Sequence, residues 1–174
     1  MKKIKNNMLN KTLQKFLATN KAKYEIIEHK TVYTAFDKAA TLGVKPETIG
    51  KTVLVSLDKD IIFGLIPANK NLDKKKVLAA FNKLRQKNKQ PKYKKIDFVA
   101  EKWMKNNIKG IDLGATPPFG ALYQAPFFID NILTRLTKII INGGQYEISL
   151  KISPAILIKI NQNVLKGGFS MAKK

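Results

Sequence analysis

Two neighbouring runs of strand-forming residues constrain the fold of this chain more than any other feature. Residues 51–57 and 61–67 are both rich in β-branched and apolar residues, and only Asp58-Lys59-Asp60 separates them. Such a short connection joins antiparallel strands, because a parallel pair needs a crossover of a dozen or more residues. Both runs are apolar enough to be central strands. The pair therefore predicts a hairpin at the centre of a sheet.

The second half of the chain repeats this pattern. Residues 126–130, 138–142 and 146–151 are predicted strands, and the last two are joined across Gly143-Gly144 as another hairpin. A further strand is predicted over residues 24–29. Because hairpins dominate and no parallel strand–helix–strand series occurs, we expect an α+β fold. Its sheet should be mixed and largely antiparallel, or a partial barrel, surrounded by helices.

Five segments have the apolar spacing or the capping residues of helices. They are residues 8–20, a two-turn helix from Thr34 to Gly43, residues 73–84 capped by Asp73, residues 97–106, and a last helix opened by Ser153-Pro154. The polar stretch 86–95 is expected to be a surface loop, and Trp103 a core anchor. We expect Gly167-Gly168 and the lysine tail to be frayed.

The length and apolar content of the chain fit one compact domain. The chain has 174 residues, of which 44% are apolar. We expect a single domain over residues 1–174, with a globular core from about 8 to 165 and basic tails. The sequence contains no apolar run of membrane-spanning length, and its start lacks the apolar stretch of a signal peptide. We therefore expect a cytoplasmic protein with no membrane partner.

The composition excludes several kinds of chemistry. There is no cysteine and only one histidine, His29. Disulfides, thiolate nucleophiles, zinc–thiolate sites and histidine metal clusters are therefore ruled out, and we expect neither a metal nor a cofactor. Any catalysis has to rely on lysine, hydroxyls, carboxylates, backbone groups or water.

The charge of the chain favours a polyanionic partner. Lysine and arginine number 33 against 12 acidic residues, a net charge of +21, which favours nucleic acid before a membrane. The excess is almost all lysine, which A/T-rich codon usage also produces, so clustering is better evidence than the total. No acidic residue lies between Asp73 and Asp97, where the basic residues concentrate. This segment is either a footprint for phosphates or a solvated charged face.

The loop at residues 114–120, Gly-Ala-Thr-Pro-Pro-Phe-Gly, is where we expect the chemistry. Pro117 and Pro118 have a fixed φ, whereas Gly114 and Gly120 can adopt backbone angles that other residues cannot. Such a loop presents peptide groups rather than side chains to its surroundings. Taken alone, it is also consistent with a tight connection between a helix and a strand.

Seven segments, in their order and spacing, resemble the YbaK/aminoacyl-tRNA-synthetase-associated domain family. They are residues 29–34, 50–55, 66–68 with 72–73, 114–120, 128–130, 142–144 and 152–154. The match covers nearly the whole chain from Leu9. Members of this family hydrolyse wrongly charged aminoacyl-tRNA, either as free-standing proteins or as the editing domain of prolyl-tRNA synthetase. The resemblance thus implies a deacylase of mischarged tRNA, with prolyl-tRNA synthetase as a further partner.

The resemblance also assigns residues. Lys51 matches the essential lysine of the family, and Gly114 matches the first glycine of its Gly-Gly-x-Ser-Pro-x-Gly loop, whose backbone contacts the aminoacyl group. Both are implied catalytic residues. In that loop Ala115 replaces the second glycine and Pro117 the serine. The other implied substrate-binding residues are Tyr33, Thr34, Thr116, Phe119, Gly120, Asn142, Gly143 and Glu147; of these, Asn142 and Glu147 align with a serine and an aspartate of the family.

The chemistry of the substrate suits such a site. An aminoacyl ester is already activated, so hydrolysis needs a positioned water or substrate group and a stabilised oxyanion rather than a cysteine or serine nucleophile. Lys51 would supply a cation for the terminal phosphate or for the ester oxygens. A cavity stiffened by two prolines and walled by Phe119 favours alanine, serine or cysteine over proline.

Other interpretations remain open at this stage. Lys51 is also consistent with a solvated lysine at a strand edge, and Glu147 with an outward carboxylate that pairs with a lysine. The whole chain could be a non-catalytic RNA-binding module, or an adaptor that docks on a synthetase. With tRNA as the partner, the basic segment is expected to contact backbone phosphates. The implied tRNA-binding residues are Lys74, Lys75, Lys83, Arg85, Lys87 and Lys89.

Overall fold

The computed structural model describes residues 9–173. Its helices are α1 (Lys11–Thr19), α2 (Ala35–Leu42), α3 (Lys74–Lys87), α4 (Glu101–Asn107), α5 (Asn131–Thr134) and α6 (Pro154–Ile160). Its strands are β1 (Tyr24–Glu28), β2 (Gly50–Leu57), β3 (Asp60–Pro67), β4 (Lys70–Leu72), β5 (Ile96–Phe98), β6 (Phe127–Asp130), β7 (Ile139–Gln145), β8 (Ile148–Ile152), β9 (Val164–Gly167) and β10 (Ser170–Ala172). In this part of the chain, no helix is long and apolar enough to cross a membrane.

The predicted central hairpin is confirmed and forms the middle of a five-stranded sheet. Its strand order is β5-β2-β3-β6-β9, with β2 and β3 antiparallel in register from Gly50 opposite Pro67 to Leu57 opposite Asp60. The pairs β3–β6 and β6–β9 are parallel. A second sheet, β1-β8-β7, is antiparallel throughout. The expected α+β class with a mixed, largely antiparallel sheet is therefore confirmed.

The central sheet is buried on both faces. Alternate residues of one strand point to opposite faces, so Phe127 and Ile129 join the core shared with the second sheet and α1, whereas Phe128 packs toward α3. Gly64 faces the Phe128 ring, and a Cβ there would lie 2.0 Å from it. A strand buried on both sides explains the continuous apolar runs in the sequence.

The helix caps that the sequence predicts are present. The Thr34 side chain accepts a hydrogen bond from the Asp37 amide at 3.0 Å, and Gly43 ends α2 in a left-handed conformation with φ +65°. Asp73 caps α3 and Ser153 caps α6, where Pro154 occupies the first turn. The predicted helix over residues 8–20 begins at Lys11 within the described residues, and residue 8 lies outside them.

One predicted helix is partly wrong. Asp97 and Phe98, placed in a helix over 97–106, lie in β5 instead, where they pair with Ser56 and Val55; the helix begins only at Glu101. The unpaired edge of β2 offers a backbone ladder that outweighs a weak local preference for helix. The loop predicted over 86–95 is also shorter, because α3 continues to Lys87.

Gly143-Gly144 do not form the turn of the second hairpin. Both residues lie within β7, and the chain turns at Tyr146-Glu147, because Gln145 pairs with Ile148. The ladder is irregular between Asn142 and Gln145. A Cβ on Gly143 would lie 2.7 Å from the Ile148 side chain, and Gly144 has φ +92°. Gly144 therefore permits the irregular backbone of a bulge, and Gly143 permits the two strands to approach closely.

Residues 164–172 are folded, contrary to the prediction that Gly167-Gly168 are frayed; of the lysine tail, Lys174 lies outside the described residues. Gly167 ends β9, and residues 170–172 form β10, which pairs with β4. Phe169 between them is buried. Its amide donates to the buried Asp130 carboxylate at 2.8 Å, as does the Ser170 hydroxyl. These contacts extend the packed region beyond residue 165.

Candidate functional site

The loop that begins at Gly114 is held against the β7–β8 hairpin through its carbonyl groups. The Ala115 carbonyl accepts a hydrogen bond from the Gly144 amide at 3.0 Å. The Tyr146 hydroxyl donates to the Leu113 carbonyl at 2.6 Å. The irregular backbone at Gly144 therefore has a role at the site, since it turns an amide toward the loop.

Asn142 binds two more carbonyls of the loop. Its amide nitrogen donates to the Gly114 carbonyl at 3.4 Å and to the Thr116 carbonyl at 3.2 Å. Its amide oxygen accepts a hydrogen bond of 2.6 Å from the Lys38 ammonium. Lys38 is only 4% exposed, and burial lowers the pKa of Lys38 to about 8.

Sequence reasoning missed Lys38. Its signal lies in the pattern of α2, where position 38 falls among Ala35, Ala39 and Leu42 on one apolar stripe. A lysine in the middle of such a stripe is rarely buried unless its ammonium group has a buried hydrogen-bond partner. The structure supplies that partner through Asn142.

The loop offers backbone donors. The carbonyls of residues 113–116 all accept hydrogen bonds. The amides of Gly114 and Thr116, by contrast, have no hydrogen-bond partner among residues 9–173. Pro117 and Pro118 have no amide hydrogen to offer. Two N–H groups of the loop are therefore available to a ligand, and N–H donors suit an anionic oxygen.

Gly114 and Thr116 line a cavity of about 390 Å³. The rest of its lining comes from Tyr33, Thr52, Val53, Leu54, Phe98, Val99, Glu101, Met104 and Leu113. The Thr52 hydroxyl is buried, with no hydrogen-bond partner in the described part of the chain. Glu101, at the start of α4, is the carboxylate of this lining. Neither Thr52 nor Glu101 was singled out from the sequence, where each fits an ordinary strand or helix position.

Lys51 lies in a neighbouring depression. It lines a groove of about 750 Å³, and its ammonium donates to the Lys70 carbonyl at 2.9 Å. Successive residues of β2 face opposite sides, so Lys51 faces the groove and Thr52 the cavity. Val53 and Phe98 line both. The two implied catalytic residues, Lys51 and Gly114, thus lie in adjoining depressions rather than in one.

The environment of Lys51 is not that of a free lysine on a strand edge. The residue is half-buried, and partial burial lowers its pKa, with a smaller contribution from the charge of Lys173. It has no carboxylate partner among the described residues. An anion that entered the groove would therefore meet an unneutralised cation.

Several implied site residues lie elsewhere. Phe119 is fully buried, with its ring 5.7 Å from that of Phe16, and does not wall the cavity at Gly114. Gly120 opens a short 3₁₀ turn in which a Cβ would lie 2.8 Å from the Ala125 carbonyl oxygen. Thr34 caps α2 and does not line the cavity.

Glu147 and Pro117 also lie outside the cavity at Gly114. The Glu147 carboxylate accepts a hydrogen bond from the Thr31 hydroxyl at 3.0 Å. It does not line the cavity, and it forms no ion pair with a described lysine. Pro117 lines a smaller cavity beside Phe119. No group of three histidine, cysteine, aspartate or glutamate side chains that could hold a metal occurs in residues 9–173.

The basic segment divides into two parts. Lys74 and Lys75, at the start of α3, line the groove with Lys51. Arg85 is engaged elsewhere, since it lies 3.3 Å from the Asp60 carboxylate and 3.8 Å over the Tyr93 ring. The remaining implied tRNA-binding residues, all exposed, are Lys83, Lys87 and Lys89.

A family model of the aminoacyl-tRNA editing domain matches residues 29–160. The chain belongs to this family. The matched span contains the loop at Gly114, its partners Lys38 and Asn142, and Lys51. The part of the groove formed by β10 lies beyond it. No curated protein matches the sequence.

Solved structures share the editing-domain fold. The hypothetical protein APE2540 is 20% identical with a TM-score of 0.73, over 92% of this chain and 99% of that one. A protein described as a candidate trans-editing enzyme for prolyl tRNA synthetase is 18% identical with a TM-score of 0.69, over 95% of this chain and all of that one (100%). At these identities the comparisons establish the fold alone.

Proposed function

We propose that this protein is an aminoacyl-tRNA deacylase that hydrolyses mischarged tRNA in trans. Its substrates are small amino acids, Ala, Cys or Ser, on tRNA(Pro) or a related tRNA, and prolyl-tRNA synthetase is a further partner in a cytoplasmic setting. The observation that carries the proposal is the loop itself. Its carbonyls are bound to the protein, while the amides of Gly114 and Thr116 have no partner among the described residues.

These amides suit the oxyanion that forms during ester hydrolysis. When water adds to the ester carbon, the electrons of the C=O double bond move to the carbonyl oxygen. The tetrahedral intermediate then re-forms the double bond and releases the ribose oxygen, which takes up a proton. Donors that are fixed before the reaction stabilise this intermediate without reorganisation, by about 10²–10³-fold in rate for each donor. The bound carbonyls of the loop supply that rigidity.

The cavity also holds groups that can position the attacking water. The Thr52 hydroxyl is buried without a partner among the described residues, and the Glu101 carboxylate lies in the same lining. A carboxylate within reach of the water can accept its proton. Neither role requires a cysteine or a histidine, which agrees with a chain that has no cysteine and a single histidine.

Lys51 is suited to the terminal phosphate rather than to the ester oxygens. Its ammonium lies in the groove next to the cavity, across the wall that Val53 and Phe98 share. A phosphate bound there would fix the terminal nucleotide while its ester enters the cavity. Positioning of this kind lowers the barrier by holding the reacting groups in a productive geometry.

A small amino acid is the proposed substrate because the aminoacyl group has to share the cavity with the terminal ribose. The terminal ribose and the aminoacyl group share its roughly 390 Å³, and Met104, Leu113 and Tyr33 bound the space. Phe119, which the sequence suggested as a wall, lies outside it. Steric rejection by a filled cavity discriminates against larger groups more sharply than weak hydrophobic contacts can.

The test is deacylation of Ala-, Ser-, Cys- and Pro-tRNA(Pro) by wild type, Lys51→Ala and the control Lys138→Ala. We expect wild type and the control to cleave the small substrates and to spare Pro-tRNA(Pro), and Lys51→Ala to lose most of its activity while it stays folded. Absence of cleavage by wild type would favour a non-catalytic RNA-binding module. Equal cleavage of Pro-tRNA(Pro) would contradict exclusion by size.

A further inference from the structure

The chain makes a tight turn at residues 112–115, at the start of the loop. The Ala115 amide donates a hydrogen bond to the Asp112 carbonyl at 2.9 Å, which closes a β-turn with Leu113 and Gly114 at its centre. Gly114 has φ +86°, and Leu113 is not among the described residues with a positive φ. A turn in which only the third residue has a positive φ is of type II.

Type I and type II turns differ in the direction of their central peptide group. The ψ angle of the second residue is about +120° in type II and about −30° in type I, so the central peptide flips by roughly half a rotation between them. In this turn it is the peptide between Leu113 and Gly114. Glycine tolerates the backbone angles of both forms, so contacts with the rest of the protein have to select one.

Tyr146 makes the contact that selects the type II form. Its hydroxyl donates to the Leu113 carbonyl at 2.6 Å, and a flip of the central peptide would turn that carbonyl away. Tyr146 is itself fixed, because its amide donates to the Asp112 carboxylate at 2.9 Å and its ring packs edge-on against Tyr33, with the centroids 4.9 Å apart. Partial burial raises the pKa of Tyr146, and the Asp112 carboxylate adds to the rise, so the hydroxyl remains a donor at neutral pH.

The direction of this peptide decides what the cavity offers to a ligand. The peptide is trans, so its C=O and N–H groups point in opposite directions. Because the Leu113 carbonyl is directed to Tyr146, the Gly114 amide points away from Tyr146, and it has no partner among residues 9–173. Gly114 lines the cavity, whereas Tyr146 does not. In the flipped form a carbonyl oxygen would take the place of this donor.

We propose that Tyr146 is a positioning residue of the site, whose hydroxyl keeps the turn at residues 112–115 in the type II form so that the Gly114 amide donates to a ligand in the cavity. The proposal rests on the proposed function for the reaction, in which this amide stabilises the oxyanion. The second donor, the Thr116 amide, is set independently, because its peptide group accepts a hydrogen bond from the Gly144 amide. Loss of the Tyr146 hydroxyl should therefore remove one of two donors.

The kinetic test is steady-state deacylation of Ala-tRNA(Pro) by wild type, Tyr146→Phe and Tyr93→Phe. Tyr93 is a matched control, because its hydroxyl also donates a hydrogen bond of 2.6 Å, to Asp60, and it lines neither the cavity nor the groove. We expect kcat to fall at least ten-fold in Tyr146→Phe, with KM within about two-fold of wild type, and wild-type kcat in Tyr93→Phe. A hydrogen bond with only a structural role would lower the stability of both variants and kcat of neither. Unchanged kcat in Tyr146→Phe would overturn the proposal.

The turn itself is tested without any reaction, by NMR spectroscopy of the free protein. In the type II form the α-hydrogen of Leu113 lies close to the amide hydrogen of Gly114, whereas in type I the amide hydrogens of these two residues approach each other. We expect wild type to show the first contact as a strong nuclear Overhauser effect, and Tyr146→Phe to gain the second. The same type II pattern in both proteins would overturn the selection of the turn by Tyr146.

The outcomes separate this proposal from the proposed function. If wild type cleaves no charged tRNA but Tyr146→Phe flips the turn, the deacylase function fails and the control of the Gly114 amide by Tyr146 stands. If wild type cleaves mischarged tRNA and Tyr146→Phe keeps both its kcat and the type II pattern, the positioning role fails and the function stands.

Discussion

Lys38 determines how one residue of the site is oriented. An ammonium group can only donate hydrogen bonds, so Asn142 has to present its amide oxygen to Lys38. Its NH₂ group is then directed to the carbonyls of Gly114 and Thr116. A side chain on α2 thereby fixes the direction of the loop peptides, although it does not line the cavity itself.

Burial of Lys38 should make stability depend on pH. Its pKa falls from 10.5 to about 8 in the folded protein, so the unfolded chain binds more protons between these values. Below pH 8 the lysine is charged in both states, so the free energy of unfolding is lowered by the full cost of burying that charge. It rises as pH increases from about 8 to 10.5. We expect Lys38→Met to reduce this rise by ~3 kcal/mol.

Chemical unfolding at a series of pH values measures this difference. Lys15→Met, on an exposed face of α1, serves as the control and should retain the wild-type rise. Parallel pH profiles for wild type and Lys38→Met would show that Lys38 titrates as an ordinary lysine in the folded protein.

At the scale of elements, the site depends on an incomplete edge of β2. β5 pairs only with Val55–Leu57, so in the described part of the chain no strand covers the same edge from Gly50 to Val53. Thr52 and Lys51 can therefore face two open depressions from one strand. The loop at Gly114 completes the cavity from the second sheet. Site geometry thus follows from where β5 stops pairing.

Gly114→Ala should disable the loop while it leaves the core intact. Gly114 has φ +86°, which strains any residue with a Cβ, although the nearest atom to a built Cβ is the Tyr33 carbonyl oxygen at 3.7 Å. The strain is relieved by a shift of the peptide, which moves the donors. We expect kcat for Ala-tRNA(Pro) to fall at least ten-fold, with a loss of stability of about 1 kcal/mol.

The matched control for this variant is Ala115→Gly, which changes the adjacent residue without adding a Cβ. It should keep kcat within a few-fold of wild type. Steady-state kinetics and thermal unfolding of both variants are the measurements. Full activity of Gly114→Ala would show that the loop amides do not contribute to catalysis.

At the scale of the whole molecule, the net charge of +21 is unevenly used. Lys74 and Lys75 line the groove, whereas Lys83, Lys87 and Lys89 are exposed on and just after the second half of α3. A 14-residue helix is about 21 Å long, so these lysines can follow a backbone well away from the ester. Their contribution should be affinity without selectivity.

Replacement of Lys83, Lys87 and Lys89 by glutamine should weaken binding of full-length tRNA and flatten its salt dependence. The ratio of kcat/KM between Ala- and Ser-tRNA(Pro) should not change, because phosphate contacts carry no information about the aminoacyl group. Lys11, Lys15 and Lys21, changed together, control for net charge. An unaltered salt slope in the α3 variant would show that tRNA follows another path.

The sequence alone determined the features that depend on neighbouring residues. The β2–β3 hairpin follows from two apolar runs and a three-residue connection, and the ends of α2 follow from Thr34 and Gly43. The order of short motifs also indicated the editing-domain family, which the match over residues 29–160 confirms. Each of these signals is read within a few residues, where propensity, capping and turn geometry act.

Only the tertiary structure decided the features that distant segments share. Phe98 is a strand residue because it pairs with the otherwise free edge of β2. The C-terminal residues Phe169 and Ser170 are held by hydrogen bonds that they donate to the buried Asp130 carboxylate. The contact between Lys38 and Asn142 joins residues 104 positions apart. Lys51 and Thr52 face adjoining depressions because successive residues of β2 face opposite sides, and Gly114 lines the depression that Thr52 faces. Packing and long-range hydrogen bonds set these arrangements, and neighbouring residues do not determine which distant segment each group meets.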